Sequence, residues 1–170
     1  MDDTAFCIRR AEASDETLLW EALFHAAHMP ADGATSPEEA QRDAFLVHYV
    51  SGWGKPGDIG CVAFTAATDA FAGAAWMRCL PHTSADNADA PIPELAIAVL
   101  PAYHNQGLGT RLLTTVLGEA RSTYNIVELS VRATNPARRL YERHGFVVVK
   151  EITNRIGGSS LLMQRDLTNQ

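Results

Sequence analysis

The chain has 170 residues, 46% of them hydrophobic and 20% charged, which fits a single folded domain spanning residues 1–170. The formal net charge of −6 disfavours nucleic acid as a partner, because phosphate backbones are bound by basic faces. The chain has no run of 18 apolar residues, so no membrane span is predicted, and the acidic N-terminus does not resemble a signal peptide. We therefore expect a cytoplasmic protein without a membrane or nucleic-acid partner. The three cysteines lie far apart, so neither a disulfide framework nor a zinc site is predicted.

The N-terminal half of the sequence predicts a short strand, two helices and a pair of strands. Residues 6–9 form the strand, and Ser14-Asp15-Glu16 begins a helix with apolar residues at helical spacing. Ser36-Pro37-Glu38-Glu39 begins a second helix, because a cap, an early proline and acids favour a helix N-terminus. That helix is expected to end near residues 51–52. Two strands follow, at Ile59–Thr65 and 71–80.

The C-terminal half predicts strands that alternate with helices. Strands are expected at Glu94–Val99, 126–131, 146–151 and 160–165, and helices at 107–121 and 135–144. The predicted order is β-α-α-β-β-β-α-β-α-β-β. This order indicates an α/β (α+β) fold with a mixed, mostly antiparallel central sheet of about six to seven strands and helices on both faces.

The glycine-containing turn before the 107–121 helix reads His104-Asn105-Gln106-Gly107-Leu108-Gly109. A P-loop would need Lys-Ser/Thr after the second glycine, where this chain has Thr110-Arg111. A dinucleotide fingerprint would need a third glycine, where Leu112 stands. The glycines could simply turn the chain. They could also hold a diphosphate, because a helix N-terminus offers unpaired N–H donors and partial positive charge.

A third template fits the turn. Residues 104–109 resemble the R/Q-x-x-G-x-G/A loop of the GNAT superfamily of acetyl-CoA-dependent N-acetyltransferases, although His104 stands where the family has Arg or Gln. Residues 135–146, NPARRLYERHGF, resemble that family's second signature, shortened by one residue between Asn and Ala. The predicted element order also matches the family's fold, so the resemblance covers nearly the whole chain.

The resemblance implies which residues bind acetyl-CoA and which carry the chemistry. Tyr141 matches the family's general acid, which protonates the departing thiolate. Glu94, at the start of a strand, is the candidate base, with His82, Asp86 and Asp89 as weaker alternatives. The remaining predicted contacts are to the diphosphate and the pantetheine arm. They are Asn105, Gln106, Gly107, Leu108, Gly109 and Thr110 for the diphosphate, and Ile97, Val99 and Asn135 for the pantetheine arm.

Other parts of the site remain open at this stage. Asn135 is equally a natural helix cap before a proline. Three arginines could meet the adenosine phosphates or lie on solvated helix faces: Arg111, Arg138 and Arg139. No metal-ligand spacing appears, so no metal is expected.

The acceptor is expected to be an amine of a small molecule or a peptide, and a homodimer is compatible with the family. Acidic loop residues suggest a cationic acceptor: Asp32, Asp58, Asp86 and Asp89. Two alternatives stay open, a non-catalytic acyl-CoA-binding module and an NAD-dependent enzyme.

Overall fold

Seven strands form one mixed sheet in the part of the chain that the computed structural model describes, residues 5–81 and 90–168. The strands are β1 (Phe6–Arg10), β2 (Ile59–Thr65), β3 (Phe71–Arg78), β4 (Glu94–Val99), β5 (Ile126–Arg132), β6 (Val147–Thr153) and β7 (Ser159–Asp166). The helices are α1 (Glu16–Ala26), α2 (Glu38–Arg42), α3 (Leu108–Ala120) and α4 (Arg138–Arg143). The spatial order is β1-β2-β3-β4-β5-β7-β6, which confirms the predicted fold class.

The sheet opens between its two central strands. Every neighbouring pair is antiparallel except β4 and β5, which run parallel and pair at one position, Glu94 opposite Glu128. The Glu128 N–H donates to the Pro93 carbonyl at 3.0 Å, next to this single pair. Beyond it the two strands diverge toward their carboxyl ends, so a cleft opens in the middle of the sheet.

Each face of the sheet carries its own apolar core because strand side chains alternate between faces. On one face α3 buries its apolar stripe, which includes Leu112, Leu113 and Val116, against β2, β3 and β4. On the other face α1 packs against β3 and β4 around Leu19 and Trp76. No helix of the described ranges is long and apolar enough to cross a membrane.

The predicted helix from Ser36 to residues 51–52 is the main error in the expected elements. Helix α2 ends at Arg42, because Asp43 takes an extended conformation (φ −79°, ψ 119°). The Asp43 carboxylate then accepts hydrogen bonds from the N–H groups of Phe45 and Leu46, at 2.9 and 3.0 Å. These bonds start a separate 3-10 turn, Leu46–Tyr49, and this turn brings Tyr49 to the sheet.

A buried ion pair fastens the loop that follows this turn. Arg78 on β3 donates to Asp58 from Nε at 3.0 Å and from one terminal nitrogen, Nη2, at 2.5 Å, and both side chains are less than a tenth exposed. Arg78 also donates to the Ser51 carbonyl at 2.9 Å and lies 5.5 Å from the centre of the Trp53 ring. These contacts tie residues 51–58 to the end of β3.

Candidate active site

The glycine turn opens α3 with its backbone exposed. Asn105 and Gly107 both have left-handed conformations, with φ of 59° and 77°. The first helical bond runs from the Arg111 N–H to the Gly107 carbonyl, so the preceding N–H groups lack partners within the helix. Such consecutive N–H groups form a concavity that suits an anion. The Leu108 side chain is fully buried in the core, so only its backbone can serve a ligand.

Gly109 lies where the turn, β4 and α4 meet. A Cβ atom built on it would lie 3.6 Å from Leu140 Cδ2 and 3.8 Å from Val99 Cγ2, which are ordinary contact distances. The absence of a side chain is therefore not required by the packing inside the protein. Leu140 immediately precedes Tyr141, so the same junction fixes α4 beside the turn.

His104, the residue that departs from the family pattern, bonds the end of β4. Its Nε2 lies 2.8 Å from the Val99 carbonyl. A carbonyl oxygen can only accept, so Nε2 carries the proton in this contact. The imidazole thereby links the turn to the strand.

Successive residues of β4 direct their backbone N–H and C=O groups alternately toward β3 and toward β5. The Leu100 N–H donates to Ala72 of β3 at 2.9 Å, whereas the Pro93 carbonyl accepts from Glu128 of β5. Because alternate residues point to opposite sides of a strand, Ile97 and Val99 direct their backbone groups toward β5. β5 has diverged there, so these groups face the cleft.

A cavity of about 740 Å³ occupies this cleft and extends between α1, the loop after α1 and the β6–β7 turn. Its lining brings together the predicted Tyr141, Glu94, Asn135, Ile97 and Val99. His104 lines it at the turn, and Arg155 lines it at the opposite side of the fold. The volume is within the range of small-molecule sites.

Glu94 is buried and sits in a hydrogen-bonded cluster. The Tyr49 hydroxyl donates a short bond to Oε1 of Glu94, and Ser130 Oγ donates to the same oxygen at 3.1 Å. Glu94 is 5% exposed and Tyr49 is 7% exposed. Burial, followed by the negative charge of Glu94, raises the pKa of Tyr49 well above its ordinary value of 10.0. Tyr49 therefore remains a protonated donor at neutral pH.

Tyr141 presents a buried phenol to the same cavity. Its ring packs edge-on against Phe146, with centroids 6.0 Å apart and planes at 67°. Burial raises the pKa of Tyr141 to about 12. Among the described residues no hydrogen-bond partner of its hydroxyl is found.

Asn135 both caps a turn and holds a histidine. Its Oδ1 accepts from the Ala137 N–H at 2.9 Å, as expected for a cap before α4. Its Nδ2 lies 3.0 Å from Nε2 of His28, so the amide donates and the imidazole nitrogen accepts. Burial, and secondarily the charge of Arg132, lowers the pKa of His28, so the accepting neutral ring is favoured. His25 and His28 both line the cavity.

Two arginines donate hydrogen bonds to the loop after α1. Arg132 at the end of β5 donates to both oxygens of Asp32, at 3.0 and 2.5 Å. Arg155 in the β6–β7 turn donates to Asp32 at 3.1 Å, and both guanidinium groups reach the Ala27 carbonyl. Arg132 and Arg155 line the cavity, whereas Asp32 lies behind them.

Two of the four loop acids that suggested a cationic acceptor are therefore already paired with arginines. Asp32 is paired with arginines, and Asp58 is buried against Arg78 away from this cavity. The other two, Asp86 and Asp89, lie outside the described residues, as does His82, the remaining alternative base.

The arginines proposed for the adenosine phosphates have other contacts. Arg111 donates to the Phe6 carbonyl at 3.3 Å, and Arg138 pairs with Glu142 on its own helix at 2.7 Å. Arg139 is exposed. Among residues 5–81 and 90–168, no cluster of three or more His, Cys, Asp or Glu side chains could hold a metal ion.

Comparison with known proteins gives one family and many similar folds. The model of the acetyltransferase (GNAT) domain matches residues 55–148, more than half of the chain. A search of curated proteins finds no significant match.

Several solved structures resemble this chain at low sequence identity. One is a chimera of the spermidine N-acetyltransferase SpeG from Vibrio cholerae and hSSAT, at 18% identity and TM-score 0.67, covering 98% of this chain and 99% of the other. A GNAT acetyltransferase from Streptococcus pneumoniae has 24% identity and TM-score 0.66, covering 95% and 98%. The ribosomal-protein-S18-alanine N-acetyltransferase from Escherichia coli has 21% identity and TM-score 0.64, covering 95% and 94%.

Proposed function

The chain belongs to the GNAT family of acetyltransferases and is an acyltransferase, and we propose that it transfers the acetyl group of acetyl-CoA to a primary amine in the cavity described above. The observation that carries this proposal is the meeting of a buried carboxylate and a buried phenol in one cleft. Glu94 and Tyr141 come from different elements, and both line the cavity that opens between β4 and β5.

The residues present fit acetyl-CoA as the acetyl donor. The N–H groups at the start of α3 suit its diphosphate, and the left-handed Asn105 and Gly107 shape the turn around it. The cleft-facing backbone of Ile97 and the N–H of Val99 suit the pantetheine amides, because such amides can pair as an added strand does. The Val99 carbonyl already accepts from His104. Asn135 lies on the same wall, with its side chain already engaged by Ala137 and His28.

The chemistry that we assign is direct attack within a ternary complex. A lysine-like amine has an ordinary pKa of about 10.4, so it must lose a proton before it can attack. Glu94 accepts that proton, directly or through water, while Tyr49 and Ser130 hold its Oε1. The amine nitrogen bonds to the acetyl carbonyl carbon, and the carbon–sulfur bond breaks. Tyr141 gives its proton to the thiolate, and the resulting phenolate takes up, directly or through water, the proton that the nitrogen must still lose to become an amide. The products are an acetamide and CoA.

Thermal melting with acetyl-CoA, CoA and NAD in parallel tests the cofactor half of the proposal. A ligand at 100 times its Kd stabilises a protein by about 2.7 kcal/mol, which raises Tm by several degrees for a domain of this size. We expect a rise with both CoA compounds and none with NAD.

Gly109→Ala provides a matched variant for this experiment. The added methyl group meets Leu140 and Val99 only at ordinary distances, and alanine favours a helix over glycine by about 1 kcal/mol. The apo variant should therefore melt no lower than the wild type, yet its shift with CoA should shrink because the methyl group crowds the turn. A CoA-induced rise in Tm as large in Gly109→Ala as in the wild type would mean that the diphosphate does not bind at this turn.

Release of free thiol from acetyl-CoA across a panel of amines tests the catalytic half. Amine-dependent release supports the transferase. CoA binding without release for any amine would instead identify a non-catalytic acyl-CoA-binding module.

A further inference from the structure

Strand β5 carries a polar stripe on the face away from α3, and two residues of this stripe, Ser130 and Arg132, line the cavity. Alternate residues Val127, Leu129 and Val131 are buried in the core beneath α3. The residues between them, Glu128, Ser130 and Arg132, point to the opposite face. Ser130 reaches Glu94, and Arg132 reaches the loop after α1. The side chains that β5 presents on this face are thus polar, with a hydroxyl at Ser130 and a guanidinium group at Arg132.

The charges that line the cavity are separated along this stripe. Among the described residues Glu94 is the one carboxylate in the lining, and it lies at the level of Ser130. The two guanidinium groups in the lining, Arg132 and Arg155, lie together at the other end. Two positive charges share Asp32 between them, with Asp43 farther from Arg155 at 3.7 Å. This end of the cavity therefore offers guanidinium donors and no carboxylate of its own.

Resting on the proposed function, we infer that the acceptor is an amino-acid-type molecule whose amine binds at Glu94 and whose carboxylate binds at Arg132 and Arg155. Guanidinium groups bind carboxylates through charge-assisted hydrogen bonds. The Nε–H of each arginine is not used in its contacts with Asp32 and Ala27.

The two ends of the cavity share strand β5. Ser130 and Arg132 are two residues apart on one face of β5, so their Cα atoms are about 6.6 Å apart (two steps of about 3.3 Å). His28, held neutral by burial and by Asn135, adds no charge that would offset either end.

Matched acceptors test the inference. Each amino acid is compared with its carboxamide and with its decarboxylated amine, for example leucine, leucinamide and 3-methylbutylamine, with acetyl-CoA as donor and thiol release as readout. Rates are expressed per concentration of unprotonated amine, because the amide alters the basicity of the amine. We expect kcat/KM to be at least about tenfold higher for the best amino acid than for its amide, since a hydrogen bond to a charged group is worth about 1.5–3 kcal/mol.

Two outcomes of this comparison overturn the inference in distinguishable ways. Amides or decarboxylated amines that react as well as the amino acids would refute the carboxylate site and leave the N-acetyltransferase standing. Absence of thiol release with every amine would refute the proposed function, and the inference would fall with it.

A pair of variants separates ligand binding from loop fastening. Arg155→Gln and Asp32→Asn both remove the same ion pair, so a purely structural role predicts that both change the enzyme in the same direction. Under our inference they act in opposite directions on selectivity. Arg155→Gln should reduce the preference for the amino acid over its amide about tenfold, while Asp32→Asn should maintain or increase it, because a competing carboxylate is gone.

The shift in Tm with acetyl-CoA serves as the control for folding in both variants. Equal loss of the preference in the two variants, with the acetyl-CoA shift retained, would assign the arginines to the loop alone and overturn the inference.

Discussion

The Tyr49 hydroxyl donates to Oε1 of Glu94 across 45 residues of sequence, joining the 3-10 turn after α2 to the first residue of β4. Ser130 of β5 donates to the same oxygen at 3.1 Å. The carboxylate is thus held from two sides at the point where β4 and β5 separate. One oxygen is committed to these donors, and this fixes the orientation of the group that we assign as the base.

Tyr49→Phe should slow the reaction without affecting the binding of acetyl-CoA. The variant keeps the buried ring but removes one of the two donors that orient the carboxylate, and misplacement of a catalytic group can cost about 10²-fold, so kcat/KM should fall about tenfold to a hundredfold. The Tm shift with acetyl-CoA should match that of the wild type. Ser130→Ala is the paired control, and its longer bond should cost less. Wild-type turnover in Tyr49→Phe would mean that Tyr49 only packs.

Glu94→Gln should abolish proton acceptance while preserving the shape of the cluster. Glutamine keeps an oxygen that can accept from Tyr49 and Ser130, so the fold should survive. Removing a positioned base typically costs about 10²–10⁴ in rate, and part of that loss should be recovered at high pH, where more of the amine is already unprotonated. A pH-rate profile of kcat/KM measures this. An unchanged rate at neutral pH would mean that water, and not Glu94, accepts the proton of the amine.

Tyr141→Phe should reduce kcat by about 10²–10⁴ because the departing thiolate loses its proton donor. Burial raises the pKa of Tyr141 to about 12, so the phenol keeps its proton throughout the working pH range. The Kd of CoA should stay within about twofold of wild type, since phenylalanine preserves the packing against Phe146. Full turnover of acetyl-CoA by Tyr141→Phe would exclude Tyr141 as the acid.

The site residues that the sequence predicted belong to local motifs, whereas the residues that it missed reach the site through contacts between distant segments. Gly107, Asn135 and Tyr141 belong to short motifs, whose turn and cap chemistry is local to the sequence. Tyr49 came from a region predicted as continuous helix, because the helical pattern continued past Asp43 and gave no sign that its carboxylate would start a new turn.

The arginine end of the cavity depends on contacts between distant segments. Arg132 and Asp32 are 100 residues apart, and no local pattern pairs them. The alternation of Glu128, Ser130 and Arg132 along β5 was visible in the sequence and could have indicated a polar strand face. Which face would remain uncovered by a helix depends on the packing of α1 against β3 and β4, which is a tertiary property.

Asp58→Asn should strongly destabilise the fold although it lies outside the active-site cavity. The substitution leaves Arg78 buried without its anionic partner, which typically costs about 3–5 kcal/mol in the free energy of unfolding. Urea unfolding measures it. Glu142→Gln breaks the ion pair with Arg138, whose two side chains are both 44% exposed, and should change stability by no more than about 0.5 kcal/mol. Similar costs for the two variants would mean that the buried pair is not a structural anchor.

Stability should fall as the pH rises above about 9. Burial raises the pKa of Cys61 from 9.0 to about 12, and that of Tyr141 from 10.0 to about 12. Each group therefore stabilises the fold fully below its unfolded pKa, and the contribution is lost as the pH rises to the folded value, because the unfolded chain releases its proton first. The loss is about 1.4 kcal/mol per pH unit for each group within its window.

Urea unfolding between pH 8 and pH 11 tests this dependence, with Cys61→Ala as the matched variant. The variant starts less stable because it leaves a small cavity, so the slope against pH is the informative quantity. Its decline should be shallower than that of the wild type between pH 9 and 10, where the Cys61 thiol of the unfolded chain titrates ahead of the Tyr141 phenol, and Tyr141→Phe should flatten the curve mainly above pH 10. Identical slopes in the wild type and Cys61→Ala would mean that the thiol ionises equally in the folded and unfolded protein, which its burial beneath α3 argues against.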